Sequence, residues 1–308
     1  MNDLPDTGKS RFKSGYVALV GKPNVGKSTL LNEFIGQTIA AVSIKPQTTR
    51  RRQLGILTTP EAQIIFVDTP GLHSGEYRLS DFINQEASYA LMDADLLLFI
   101  VDGSQYPDAE DRQLAEEVLE KAGTGKRLLV VNKIDLVDQD THSQHTQAYQ
   151  ALLDFDDQVQ ISAVTKSGCE KLLSRIIILL PEGPRFYPDT QITATYEREI
   201  AEDLIRAAAL QYLRDEVPYA IFVRVDDYHK EGDDKRYVHA TLFVERESQK
   251  GIVIGKRGSM IKRISTTARQ KIEEMSGESV FLDLSVKVEK NWRNNPDFLD
   301  RYGLSHDR

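Results

Sequence analysis

The chain has 308 residues, 40% of them hydrophobic and 28% charged, with a formal net charge of −8. That length accommodates two domains with separate cores, and the acidic balance excludes a protein that simply coats nucleic acid. A single cysteine, Cys169, excludes an internal disulfide and a multi-cysteine zinc site, and six scattered histidines show no metal-ligand spacing; both fit a reducing compartment and no zinc.

Residues 1–13 are polar, lack the apolar stretch of a signal peptide, and read as a flexible N-terminus; no apolar run anywhere is long enough to span a bilayer. Tyr16–Val20 then reads as a buried strand and Leu30–Ile35 as a helix. Between them stands Gly21-Lys22-Pro23-Asn24-Val25-Gly26-Lys27-Ser28-Thr29, the pattern G-x-x-x-x-G-K-[ST]. Glycines let such a backbone wrap an anion so that successive N–H groups point at phosphates. Lys27 is expected to reach the β- and γ-phosphates, Ser28 to ligate Mg²⁺, and the helix N-terminus to add its dipole.

Val42–Arg52 is polar, contains Pro46, and reads as an exposed loop in which Arg50–Arg52 alone would be a solvated basic patch. Strand-like Gln53–Leu57 follows, and then the apolar strand Ala62–Val67 runs into Asp68-Thr69-Pro70-Gly71. An acid at the end of a buried strand suits a second magnesium anchor, acting through water, and Gly71 can turn its N–H toward the γ-phosphate. Asp95–Val101 is a further apolar strand with a polar helix after it to about Lys121, and Arg127–Val131 leads into Asn132-Lys133-Ile134-Asp135. The alternation predicts an α/β, doubly wound, mostly parallel sheet with ligands at the carboxyl ends of its strands.

Asn132-Lys133-x-Asp135 selects guanine, whose N1–H and exocyclic amine form a donor pair that one carboxylate accepts and adenine does not offer. Asn132 is expected to tie this loop to the phosphate loop, and the Lys133 stem to pack over the base. Ser162-Ala163, after Val159–Ile161, is expected to offer backbone N–H groups to the guanine carbonyl.

These motifs, in this order, resemble those of the TRAFAC-type GTPases over about residues 14–180. The resemblance implies GTP hydrolysis with Lys27, Thr49 and Gly71 in catalytic positions. It implies Mg²⁺ on Ser28 and Thr49 and, through water, on Asp68, and a moving second switch over 72–90. Leu72 stands where Ras-like relatives carry a water-orienting glutamine, so intrinsic turnover is expected to be slow. Relatives with asparagine at the position of Asn24 use it to help hold K⁺ at the phosphates.

Leu179-Leu180-Pro181-Glu182-Gly183-Pro184 marks a linker, set at 181–190, and the pattern changes beyond it. Glu197–Leu213 reads as an amphipathic helix; Tyr219–Val225 and Tyr237–Val244 read as strands joined by the acidic turn 226–234; Met260–Met275 reads as a helix and Val280–Val288 as a strand. Gly255-Lys256-Arg257-Gly258 lies between the last two helices of this α-β-β-α-α-β order. It belongs to the run Arg246–Lys271, which carries eight basic residues against one acid. Lys250, Lys262 and Arg263 lie in that run, as does Arg269. This is how an α+β, type II KH domain (191–308, with a C-terminal tail) clamps roughly four nucleotides: close backbone approach at the glycines, phosphates on the loop cations, bases on an apolar groove.

A GTPase domain followed by such a domain closely resembles the bacterial Era family. Lys45-Pro46-Gln47-Thr48-Thr49-Arg50, the Leu-Pro-Glu-Gly-Pro linker and Gly251–Gly258 carry the match. The family implies binding near the 3′ end of 16S ribosomal RNA, a role in maturation of the 30S precursor, and a monomeric cytoplasmic protein partly associated with the inner face of the membrane. A nucleotide-gated protein whose C-terminal domain binds a protein or membrane surface is the alternative. An ATP-driven RNA helicase fails on Asn132–Asp135.

Overall fold

The computed structural model describes residues 12–42, 52–69, 77–230 and 235–305. Six strands form the first sheet: β1 (Lys13–Val20), β2 (Gln53–Thr58), β3 (Ala62–Asp68), β4 (Leu96–Asp102), β5 (Lys126–Asn132) and β6 (Asp157–Gln160). Their order is β2-β3-β1-β4-β5-β6, parallel throughout except that β2 runs antiparallel to β3. Leu96–Val101 is buried along its whole length, as a central parallel strand covered on both faces must be. Five helices flank the sheet: α1 (Lys27–Ile35), α2 (Arg78–Met92), α3 (Ala109–Lys121), α4 (Gln139–Gln150) and α5 (Cys169–Leu179). Strand order reverses around β1, which opens the crevice at its carboxyl end where ligands bind in such sheets.

The second sheet has three strands in the order β7-β8-β9. It follows α6 (Glu197–Tyr212) and comprises β7 (Phe222–Lys230), β8 (Lys235–Val244) and, after α7 (Glu247–Ile254) and α8 (Ser259–Ser276), β9 (Ser279–Val288). β8 pairs antiparallel with β7 and parallel with β9. Helix α8 buries Ile264, Ala268, Ile272 and Met275, a stripe of helical period, and stops at Gly277, whose φ of 70° suits a residue without Cβ. The expected strand at Tyr219 begins later. Val217–Ala220 is a 3-10 turn with Pro218 in it, and β7 continues through Asp226–Lys230, so the acidic residues at 226 and 227 belong to a strand rather than to the turn. Cross-strand pairing with His239 and Tyr237 holds that extension in place, a tertiary term that local propensity does not contain.

The two sheets are joined by more than a tether. Glu182 bridges to Lys13, and Thr193 bridges to Gly55. Gln63 Oε1 accepts from the backbone N–H groups of Phe186 and Tyr187 at 2.7 and 2.9 Å, so the connecting chain lies along the first sheet. On the other side, Leu79, Phe82 and Ile83 of α2 share one buried cluster with Phe222, Phe243, Trp292 and Leu304, together with Phe298 and Leu299 of α9 (Pro296–Arg301). Trp292 is fully buried there and donates from Nε1 to Ala220 O at 2.9 Å. Burial of such side chains contributes about 2 kcal/mol each, so α2 is held to the C-terminal segment by packing as well as by chain connectivity.

Candidate nucleotide and nucleic-acid sites

Gly21–Thr29 leaves the end of β1 and turns into α1. Gly26, the residue capping α1, has φ of 108°, and a Cβ there would lie 2.2 Å from Asn132 Nδ2; a Cβ on Gly21 would lie 2.2 Å from Ile100 O. Both positions need glycine for close approach, and the N-terminal N–H groups of α1 are left facing the crevice. Lys27 is 9% exposed and donates to Gly21 O at 2.6 Å and Lys22 O at 2.9 Å. Burial pushes its ammonium down to about 8, only partly offset by the Asp68 carboxylate. A desolvated cation folded over a rim of N–H groups is an anion site.

Ser28 Oγ donates to Asp68 Oδ2 at 2.8 Å, and Asp68 is fully buried at the end of β3. Thr69 Oγ1 donates to Leu19 O at 2.8 Å and locks that strand end against β1. A hydroxyl and a carboxylate side by side beside a phosphate cradle are hard oxygen donors of the kind Mg²⁺ takes, so the residues fit that ion. Among the described residues no group of three or more His, Cys, Asp or Glu could hold a metal ion. Thr49, Gly71 and Leu72 lie outside the described residues.

At the base end, Asn132 is 2% exposed and makes two bonds: Nδ2 donates to Val25 O at 2.7 Å, and Oδ1 accepts from Ala163 N at 2.9 Å. It therefore joins the phosphate loop to the turn after β6. Lys133 has a left-handed backbone with φ of 66°, and its Nζ is 2.5 Å from Asp102 Oδ2. Asp135 is exposed on the 3-10 turn that follows.

In the turn after β6, Ser162 N–H donates to Ser167 O and Ala163 N–H to Asn132 Oδ1, each at 2.9 Å. Val164, next in that turn, is 77% exposed. Lys22 is drawn off the loop: its Nζ lies 2.7 Å from Asp108 Oδ2 and 2.8 Å from Asp111 Oδ2, so it contributes backbone rather than charge.

In the C-terminal part, Gly255 ends α7 with φ of 72° and ψ of 170°, and a Cβ there would meet Met260 N at 2.8 Å. Gly258 caps α8 with φ of 76° and has open space around it. Lys256 and Arg257 are exposed between them, and Lys262 and Arg263 are exposed at the start of α8. Arg263 is steadied by the Tyr212 ring, 4.5 Å from its guanidinium carbon. Lys250 is half-buried on α7, where Ile252 is 49% exposed beside buried Val253. Arg269 leaves the basic stripe, because Nη1 bonds both carboxylate oxygens of Glu273 at 2.6 and 2.7 Å. Arg52 is exposed, as expected of a solvated patch, and also donates to Glu86 of α2 from its backbone N at 3.2 Å and its Nε at 3.1 Å.

Comparison with known proteins follows this geometry. Residues 16–133 match the family described as 50S ribosome-binding GTPase, and residues 216–293 match the KH domain family. A crystal structure of Era in complex with MgGDPNP and nucleotides 1506–1542 of 16S ribosomal RNA is 34% identical. The match covers 96% of this chain and 99% of that one, with a TM-score of 0.89. A tyrosine-to-alanine variant of Aquifex aeolicus Era bound to GDP·AlF4⁻ is likewise 34% identical, over 96% of this chain and all of the other, with a TM-score of 0.87.

Proposed function

This chain belongs to the Era family of GTPases, and from that premise we propose that it binds 16S ribosomal RNA near its 3′ end, under control of its bound guanine nucleotide, during 30S subunit assembly. It is a GTPase that works with Mg²⁺ and guanine nucleotide. The observation that carries the site assignment is Asn132, whose one side chain bonds both the phosphate loop and the turn after β6, making phosphate and base subsites a single rigid unit.

In this reading the N–H groups of Gly21–Thr29 and the Lys27 ammonium bind the β- and γ-phosphates and neutralise charge that grows there during transfer. Ser28 and Thr49 would hold Mg²⁺, with Asp68 acting through water, and the ion would supply positive charge to stabilise the phosphates. Thr49 and Gly71 are assigned to the γ-phosphate side from the sequence. Lys133 covers the guanine face, Asp135 accepts from its N1–H and amine, and the backbone of the Ser162-Ala163 turn serves its carbonyl. Asn24 is assigned to K⁺.

RNA falls to Gly255–Gly258 with Lys256 and Arg257, extended by Lys250, Lys262 and Arg263. The GTPase domain is taken as 14–180 and the RNA-binding domain as 191–308, with 181–190 between; the two separate sheets support that division. Among the described residues no helix is long and apolar enough to cross a membrane. A cytoplasmic monomer with a peripheral membrane contact completes the proposal.

The test is titration of the full-length protein, in the GDPNP and GDP states, with a synthetic RNA of the 16S 3′ terminus and with a scrambled RNA of equal length. Preferential binding of the authentic RNA that changes with the nucleotide is expected. Equal affinity for both RNAs in both states would contradict the proposal.

A further inference from the structure

The base loop is held from a strand end that none of the recognised motifs includes. Asp102 closes β4 and lies in register beside Asn132 of β5. Its Oδ1 accepts from the Ser104 N–H at 3.0 Å and the Ser104 hydroxyl at 2.6 Å, and its Oδ2 meets Lys133 Nζ at 2.5 Å. The next residue, Gly103, donates to Asn132 O at 2.8 Å; a Cβ on it would meet Val131 Cγ1 at 2.7 Å and that same oxygen at 2.8 Å. From α4, His145 Nδ1 lies 2.8 Å from Gly103 O. Further on, Asp108 and Asp111 form the capping box of α3 and together hold Lys22 of the phosphate loop.

We propose that Asp102 is a positioning residue for guanine recognition, fixing the Lys133 side chain by its ammonium before nucleotide arrives. The inference rests on the reading of Asn132–Asp135 as the guanine site. A lysine stem free in water samples many rotamers, and immobilising it costs binding free energy when the ligand enters. With its ammonium held by a carboxylate that is itself fixed by Ser104, the stem is ordered in advance. Burial works against ionisation of Asp102, yet the hydrogen bonds from Lys133 and Ser104 hold its carboxyl below the usual carboxylate range, so the anchor stays charged at neutral pH. The left-handed backbone at Lys133 gives the second constraint, since it sets the direction in which the chain leaves the loop.

The test is a double-mutant cycle on the full-length protein, with GDP affinity and GDP release rate as readouts. Asp102→Asn keeps size and the Ser104 bonds but removes the charge that holds Lys133; it is expected to weaken GDP about tenfold, mainly through faster release. Lys133→Ala is expected to weaken GDP at least as much. In the Lys133→Ala background the Asp102→Asn change is expected to do nothing further, because its effect runs through that lysine. The preference for GDP over IDP, which lacks the exocyclic amine, is expected to survive in Asp102→Asn, since Asp135 reads that group. Parental affinity in Asp102→Asn overturns the proposal. So does an equal loss in both backgrounds, which would mean general damage to the domain. Parental affinity in Lys133→Ala overturns the base-site reading itself, and does so without reference to Asp102.

Discussion

Gln53 Nε2 donates to Asp203 Oδ2 at 2.5 Å, joining the first residue of β2 to α6 across the boundary between the two sheets. Asp203 Oδ1 accepts from Arg206 Nη2 at 2.9 Å, and both Gln53 and Arg206 are 3% exposed. On the other side of the nucleotide site, α2 opens with Tyr77 under the Arg293 guanidinium at 3.8 Å and with the Arg78 N–H on Asn294 Oδ1 at 3.2 Å. Both β2 and α2 are therefore fastened to the C-terminal part.

From that geometry, Gln53→Ala is expected to reduce the difference in RNA affinity between the GDPNP and GDP states while leaving nucleotide affinity near parental. Asp203→Asn removes the charge facing buried Arg206 and should cost about 3 kcal/mol of stability. Urea unfolding beside RNA titration in both nucleotide states checks the pair. An unchanged GDPNP-to-GDP ratio in Gln53→Ala would exclude this bond as a route of coupling.

Guanine selectivity should rest on Asp135. Asp135→Asn is expected to weaken GTP by two orders of magnitude or so, for loss of a charge-assisted bidentate bond, and to favour xanthosine triphosphate, whose edge suits an amide. Competition between the two nucleotides on the variant decides it; retained GTP preference would place base recognition elsewhere.

A pH signature follows from Lys27. Its folded-state value of about 8 lies below the ordinary 10.5, so between those values the unfolded chain binds more protons than the nucleotide-free fold. Lys27 alone therefore makes the fold more stable as pH rises through that window. Phosphates beside it favour the charged form, so GDP binding at about pH 8.5 should take up a proton that binding near neutrality does not. Calorimetry in two buffers of different ionisation enthalpy measures the uptake. Identical heats in both buffers at the higher pH would contradict the role given to Lys27.

Turnover should be slow and faster in K⁺ than in Na⁺, given Leu72 after the D-x-x-G motif and Asn24 in the phosphate loop. Single-turnover hydrolysis in the two salts is the measurement, with Asn24→Ala expected to remove the difference. Equal parental rates would dismiss the Asn24 assignment.

Much of this was legible in residue types. A strand, a glycine loop and a helix in succession announce a phosphate site, and the α-β-β-α-α-β order with its basic G-x-x-G announces the second domain. What stayed hidden depends on where hydrogen bonds go. Residue types place Ser162 and Ala163 in the turn after β6, and only the fold shows that Asn132 Oδ1 meets the Ala163 N–H there. Asp102 looks like an ordinary polar strand end until its carboxylate is seen to hold the Lys133 ammonium. Trp292 and Leu79 meet because two domains pack, which no local period encodes. Arg52 is solvent-facing as its residue type suggests, but the sequence gives no sign that Glu86 stands opposite.

The central claim, that nucleotide and RNA occupy separate sites in one coupled molecule, is tested most directly by Lys256→Asp combined with Arg257→Asp. The change keeps Gly255 and Gly258, and with them the turn, while placing two negative charges against phosphates. Titration with the 16S 3′-terminal RNA at two salt concentrations, beside GTP titration of the same preparation, is the measurement. RNA affinity should fall at least a hundredfold or so and its salt dependence should flatten, since fewer counterions are released, with GTP affinity unchanged. RNA binding at parental strength would contradict the account.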